Sequence, residues 1–147
     1  MPAVGERWLE LSELNAAVVR RLYRAVNEND LSTFLALMHP EVELTTSGVY
    51  PDFRPTYRGH QGAREYWQSV RGVWDTVSIE IKRCEAVGDR VLALVSQRVE
   101  GREGIVAEHD WGHLYELADD LIRRGVAYAS WEAGIKAARS ESGVRGD

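Results

Sequence analysis

The chain has 147 residues, 44% of them hydrophobic, which suits one domain with an ordinary core and leaves no reason to seek a second. Its 18 Lys and Arg stand against 23 Asp and Glu for a formal charge of −5, and the basic residues are scattered rather than striped, which argues against nucleic acid as a partner. The amino-terminal segment lacks the basic and apolar regions of a signal peptide, and no apolar run approaches the about 18 residues of a membrane span, so a soluble cytoplasmic protein with no membrane partner is expected.

From Leu11, the residues Leu11, Leu14, Val18, Leu22 and Ala25/Val26 recur at helical spacing and predict a long amphipathic first helix. Asn29-Asp30 breaks this pattern and caps a short second helix carrying Leu31, Phe34, Leu35 and Met38, which His39-Pro40 is expected to end. Val42, Leu44 and Thr46 alternate with Glu43 and Thr45 as in a half-buried strand. Gly48, Pro51 and Pro55 then mark a loop that holds Tyr50, Phe53 and Tyr57. After Gly59 and Gly62, a third helix presents Ala63, Tyr66, Trp67, Val70 and Val73/Trp74 on one face.

The rest reads as sheet. Val77, Ile79 and Ile81 alternate with polar residues, and Gly88-Asp89 turns the chain into the apolar run Val91 to Val95. Cys84, the one cysteine, permits no intramolecular disulfide, and without a His/Cys cluster around it no metal site is expected. Gly101 and Gly104 bracket a further turn, Ile105 to Leu117 forms another strand, and Ala118-Asp119-Asp120 leads to a last strand from Leu121 to Ser130, followed by a polar tail. Helices first and strands later, without βαβ alternation, predict an α+β fold whose largely antiparallel sheet carries its helices on one face. The outer face of that sheet would need cover, because Val91, Ala93 and Val95 lie opposite Leu92 and Leu94, so a homodimer through the sheet is expected.

The segment Tyr57-Arg58-Gly59-His60-Gln61-Gly62 ahead of a helix with Tyr66-Trp67, then Ala86-Val87-Gly88-Asp89-Arg90-Val91, then Tyr115 and Tyr128 bracketing Asp119-Asp120, together resemble the SnoaL-like branch of the superfamily named after nuclear transport factor two. The resemblance spans roughly residues 14–138 and makes 1–147 a single SnoaL-like domain. It implies a cone-shaped roll, a curved sheet wrapped around three helices and enclosing a pocket, and often sheet-to-sheet dimers. Its members include ketosteroid isomerases, polyketide cyclases, epoxide hydrolases, dehydratases and proteins without known activity, so the fold alone does not give the function.

Alignment to the ketosteroid isomerase pattern puts Thr46 at the place of that family's Asp base, Leu22 near that of its Tyr, and His113 near that of its partner carboxyl. Period two places His109, Trp111, His113 and Tyr115 on one strand face, and the resemblance implies that this face looks into the pocket. His113 is the candidate acid/base near neutral pH and His109 a second donor; a structural role for both histidines is the competing reading. His39 and His60 read as boundary or capping residues. Arg98-Val99-Glu100 resembles the Arg-x-Asp of epoxide hydrolases of this fold, with Arg98 orienting and Glu100 activating water, but the last strand lacks the third acid, and a plain ion pair at the strand end is the favoured alternative. Trp111, Trp67, Tyr50, Phe53, Leu44, Thr46 and Leu22 are the candidate ligand wall. The resulting expectation is a cofactor-independent enzyme acting by acid/base chemistry on a small hydrophobic or aromatic molecule. A non-catalytic binding domain of the same fold and an epoxide-hydrolase-like enzyme are the alternatives.

Overall fold

The computed structural model describes residues 4–50 and 52–144; Pro51, read above as a loop marker, and the side chain of Leu11 lie outside the described residues. The chain runs α1 (Val4–Asn27), α2 (Leu31–Ala36), β1 (Met38–Thr45), β2 (Thr56–Arg58), α3 (Gly59–Val73), β3 (Thr76–Val87), β4 (Arg90–Glu100), a single 3-10 turn (Arg102–Gly104), β5 (Val106–Ala118), β6 (Leu121–Tyr128) and α4 (Trp131–Val144). The strands form one open sheet in the order β2-β1-β6-β5-β4-β3. Every pairing is antiparallel except β1 with β6. Register shifts at Ile81/Arg83, Glu116/Leu117 and Met38/Glu43 are the places where extra residues bend the strands and curve the sheet.

The concave face holds the main core. Val19, Leu22 and Ala25 of α1, Phe34 of α2 and Ala63 and Trp67 of α3 pack there against Val91, Ala93, Val95, Trp111 and Tyr115. Asp30 caps α2 as its position suggested, accepting from the Thr33 backbone N–H at 3.1 Å. Asn27, at the end of α1, pins edge strand β3 by accepting from Ile79 N at 2.6 Å and donating to Ile79 O at 2.9 Å. Asn27→Ala is therefore expected to cost about 1–2 kcal/mol in a urea titration, two hydrogen bonds' worth.

Four expectations are corrected. The second helix ends at Ala36, and Met38, His39 and Pro40 open β1, because Ile122 N donates to Leu37 O and Met38 pairs with Ile122, drawing this segment into the sheet. Tyr57 lies in the short strand β2, paired with Leu44 and buried, rather than in a loop. The tail is helix α4, capped by Ser130, whose Oγ accepts from Ala133 N at 3.0 Å.

That helix also decides the fourth point, the expected single layer of helices. α4 lies on the convex face, where Ala138, Ile135 and Trp131 cover Leu92, Leu94 and Leu114. The apolar strip that called for a second copy is thus covered by the chain's own helix. Elsewhere on that face stand Ser96 with Asp110 and Arg98 with Glu108.

Candidate functional site

Between the concave sheet and α1–α3 lies a cavity of about 150 Å³, room for a molecule of about one ring. β5 contributes Trp111, His113 and Tyr115, α1 contributes Leu22, Tyr23 and Val26, and α3 contributes Tyr66, Trp67, Val70 and Arg71. β1 and the following loop add Leu44, Thr46, Tyr50 and Phe53. All seven candidate wall residues therefore line one cavity. A second hollow of about 240 Å³, between α1 and two hairpin turns, has no histidine and no aromatic side chain in its wall.

His113 is the chemical centre of the cavity. Its Nδ1 lies 2.7 Å from Tyr23 Oη, which lies 2.9 Å from Tyr115 Oη. The rings of Tyr23 and His113 are stacked, whereas Tyr115 meets both edge-on. Gly125 makes this arrangement possible, since a Cβ there would come within 3.0 Å of Tyr115 Cε1. Burial pushes the His113 imidazole down to about 4, so the ring is neutral at pH 7. Burial, with the neighbouring phenol, raises Tyr23 well above the ordinary tyrosine value, and burial raises Tyr115 too. Both phenols stay protonated.

A neutral imidazole beside two hydroxyls has two self-consistent arrangements. If Tyr115 donates to Tyr23 and Tyr23 to Nδ1, the proton of the ring is on Nε2, a donor. If Nδ1 donates to Tyr23 and Tyr23 to Tyr115, Nε2 carries a lone pair and is a base. Nε2 has no hydrogen-bond partner among the described residues.

Trp111, 6% exposed, has its Nε1 buried without a hydrogen-bond acceptor among the described residues. His109 packs on Trp111 with ring centroids 4.0 Å apart, but it does not line the cavity; its Nε2–H donates to Ala129 O at 2.8 Å, which fixes the tautomer. Arg98 and Glu100 are on the convex face, where Arg98 pairs with Glu108 at 3.0 Å and Glu100 at 3.4 Å. Strand alternation directs Val95, Gln97 and Val99 inward and Arg98 outward, so neither member of this pair reaches the cavity. His60 Nε2 contacts Met38 O at 2.9 Å and His39 Nδ1 accepts from Glu41 N, and both stand outside the cavity as expected.

Thr46 donates to Arg54 O at 2.9 Å and is accompanied by no carboxylate in the cavity wall. The hydroxyl missed in the sequence belongs to Tyr23, the neighbour of Leu22. It stands on the buried face of α1, one turn after Val19, and a buried phenol on a helix that faces a His/Tyr strand is the signal that identifies it. Among the described residues no group of three or more His, Cys, Asp and Glu could hold a metal ion, and no helix is long and apolar enough to cross a membrane.

The family model described as SnoaL-like domain matches residues 19–125. No curated protein matches the chain. Among solved structures, TerC co-crystallised with polyporic acid is similar at 22% identity and a TM-score of 0.73, covering 86% of this chain and 98% of that one. A putative polyketide cyclase from Xanthomonas campestris is similar at 16% identity and a TM-score of 0.68, covering 87% of this chain and 98% of that one. An epoxide hydrolase of Mycobacterium tuberculosis, described as LEH-like, is similar at 16% identity and a TM-score of 0.69, covering 88% of this chain and 92% of that one. Likeness at these identities establishes the shared fold.

Proposed function

The chain belongs to the SnoaL-like domain family, and from that premise we propose that its cavity is the active site of a cofactor-independent enzyme that moves a proton on a small hydrophobic or aromatic carbonyl compound, as cyclases, isomerases and dehydratases do. The observation that carries this reading is the chain of hydrogen bonds Tyr115–Tyr23–His113 ending at a cavity with aromatic walls. A hydrophobic pocket with a few converging polar groups is the usual form of a small-molecule site. That TerC was co-crystallised with polyporic acid supports a small organic ligand here as well.

In the first arrangement Nε2–H polarises a carbonyl oxygen, and the negative charge developing there is stabilised by a donor already in place, at no cost of solvent reorganisation. In the second, Nε2 takes a proton from the substrate. The two arrangements are different ring tautomers as well as opposite directions of the two hydroxyl hydrogen bonds; in the second, the proton that Nε2 takes makes an imidazolium, which returns it to another atom of the same substrate. Because both phenols resist ionisation, the tyrosines orient and polarise His113 and retain their own protons. A water-activating hydrolase is supported less well, since no carboxylate lines the cavity and Arg98 and Glu100 face away from it.

A thermal-shift screen of aromatic ketones, lactones and epoxides finds ligands, because binding to the folded state raises apparent stability, and turnover of the hits is then measured. Tyr23→Phe is expected to lower kcat by about tenfold with KM little changed, since it removes both hydrogen bonds that set the His113 tautomer. Ligands that bind but are never turned over, with unchanged affinity in Tyr23→Phe and His113→Ala, would leave a carrier in place of an enzyme.

A further inference from the structure

Arg71 lies on α3 one turn after Trp67 and lines the same cavity as His113. Its guanidinium sits over the Trp67 ring, Cζ 5.0 Å from the ring centroid, and Nη2 donates to Val26 O at the end of α1. That tether and the stacking fix the group's position and leave Nε and Nη1 without an acceptor among the described residues. Burial lowers the Arg71 pKa, with no neighbouring acid offsetting the cost, and the group remains protonated at any working pH.

The rest of the wall has the same polarity. The cavity lining contains no Asp and no Glu, and with His113 neutral, Arg71 is its one formal charge at pH 7 among the described residues. Trp111 Nε1–H is a buried donor without an acceptor. A chain of net charge −5 therefore encloses a cavity that is positive and rich in donors. A half-buried guanidinium stacked on an indole is shaped for a planar, two-oxygen anion.

We propose that the cavity takes a small aromatic or unsaturated carboxylate, its anionic oxygens on Arg71 and its ring among the aromatic walls. This deepens the active-site reading above and rests on it for what His113 then does to the bound molecule. The carboxylate supplies orientation: held at Arg71, the ligand presents its uncharged end to the remainder of the cavity.

The test pairs acids with their amides, benzoate with benzamide and cinnamate with cinnamamide, by calorimetric titration at pH 7.5. The wild-type protein is expected to bind each acid at least about tenfold more tightly than its amide, the range of a hydrogen bond to a charged group. In R71Q that preference should fall to within about twofold, and in R71K a part of it should return. Equal binding of acid and amide, binding of neither at millimolar concentration, or an undiminished preference in R71Q each overturns the proposal. If R71Q does not fold, the wild-type ratio together with R71K decides. The two readings fail separately. A neutral ketone turned over through His113 with no acid preference rejects the carboxylate site alone, whereas an Arg71-dependent preference with kcat unaffected by His113→Ala rejects the catalytic role alone.

Discussion

Replacing His113 by alanine is expected to lower kcat by about 10²-fold or more, the usual share of a general acid or base. The effect has a pH signature fixed by burial. With the imidazole pushed down to about 4, its neutral form is the working one, so kcat/KM should be level from about pH 5 to 8 and fall as the pH drops through about 4. An unburied histidine would place that limb near 6.5. The same shift links to stability. The unfolded chain protonates His113 below about 6.5 while the folded protein does not until about 4, so stability is full above about 6.5 and is lost as the pH falls between these values, by at most about 3 kcal/mol. Urea titrations of wild type and His113→Gln at pH 7 and 4.5 isolate this loss, which should be missing in the variant. His113→Gln also keeps an N–H donor, so partial activity in Gln but not Ala identifies polarisation of an oxygen, and equal loss in both identifies proton transfer. Activity within threefold of wild type in both variants would remove His113 from the mechanism.

The placement of His113 and Trp111 was readable because the first half of β5 alternates: Glu108 and Asp110 are exposed and polar and set the phase, which carries through Gly112 and Leu114 although both are buried beneath α4. The same reasoning failed on β4. Its apolar run Val91 to Val95 is buried on both faces, concave against α1–α3 and convex against α4, so the run has no phase to read, and Arg98-Val99-Glu100 downstream inherited none. One unrecognised helix thus accounts for the expected single helical layer, and it covers the apolar strip on which the expected homodimer rested. α4 does carry a signal, Trp131, Gly134, Ile135 and Ala138 at helical spacing. Its Lys, Arg, Ser and Gly content obscured that pattern. β2, at three residues, is too short for any period, and the contact of Tyr23 with His113 spans 90 positions, a separation that no local pattern encodes. What the chain states locally is its elements and their faces; what joins faces across the cavity is the fold.

At Gly112 the backbones of β5 and α4 approach closely, and this yields a direct test of the role of α4. A Cβ at Gly112 would lie 2.8 Å from Ser130 O and 2.9 Å from the Gly134 Cα, and one at Gly134 would lie 2.9 Å from the Gly112 Cα. These are backbone contacts, which cannot give way as a flexible side chain would. In β5 itself valine is a better strand residue than glycine, so any loss in Gly112→Val comes from pushing α4 off the sheet. The expected cost is about 1–3 kcal/mol, as for other overpacked interiors. Gly72→Ala, at a helical glycine with no heavy atom within 4 Å of the added Cβ, serves as the control and should be neutral or slightly stabilising. Displacement of α4 uncovers Leu92, Leu94 and Leu114, so Gly112→Val should also self-associate more strongly than the wild-type protein, in a concentration-dependent way, during sedimentation. Trp131 reports the same event, since its Nε1–H donates to Val95 O at 3.0 Å and its fluorescence should shift to the red as the ring enters water. A variant with wild-type stability and unchanged sedimentation would mean that the close approach at Gly112 is not what holds α4 on the convex face.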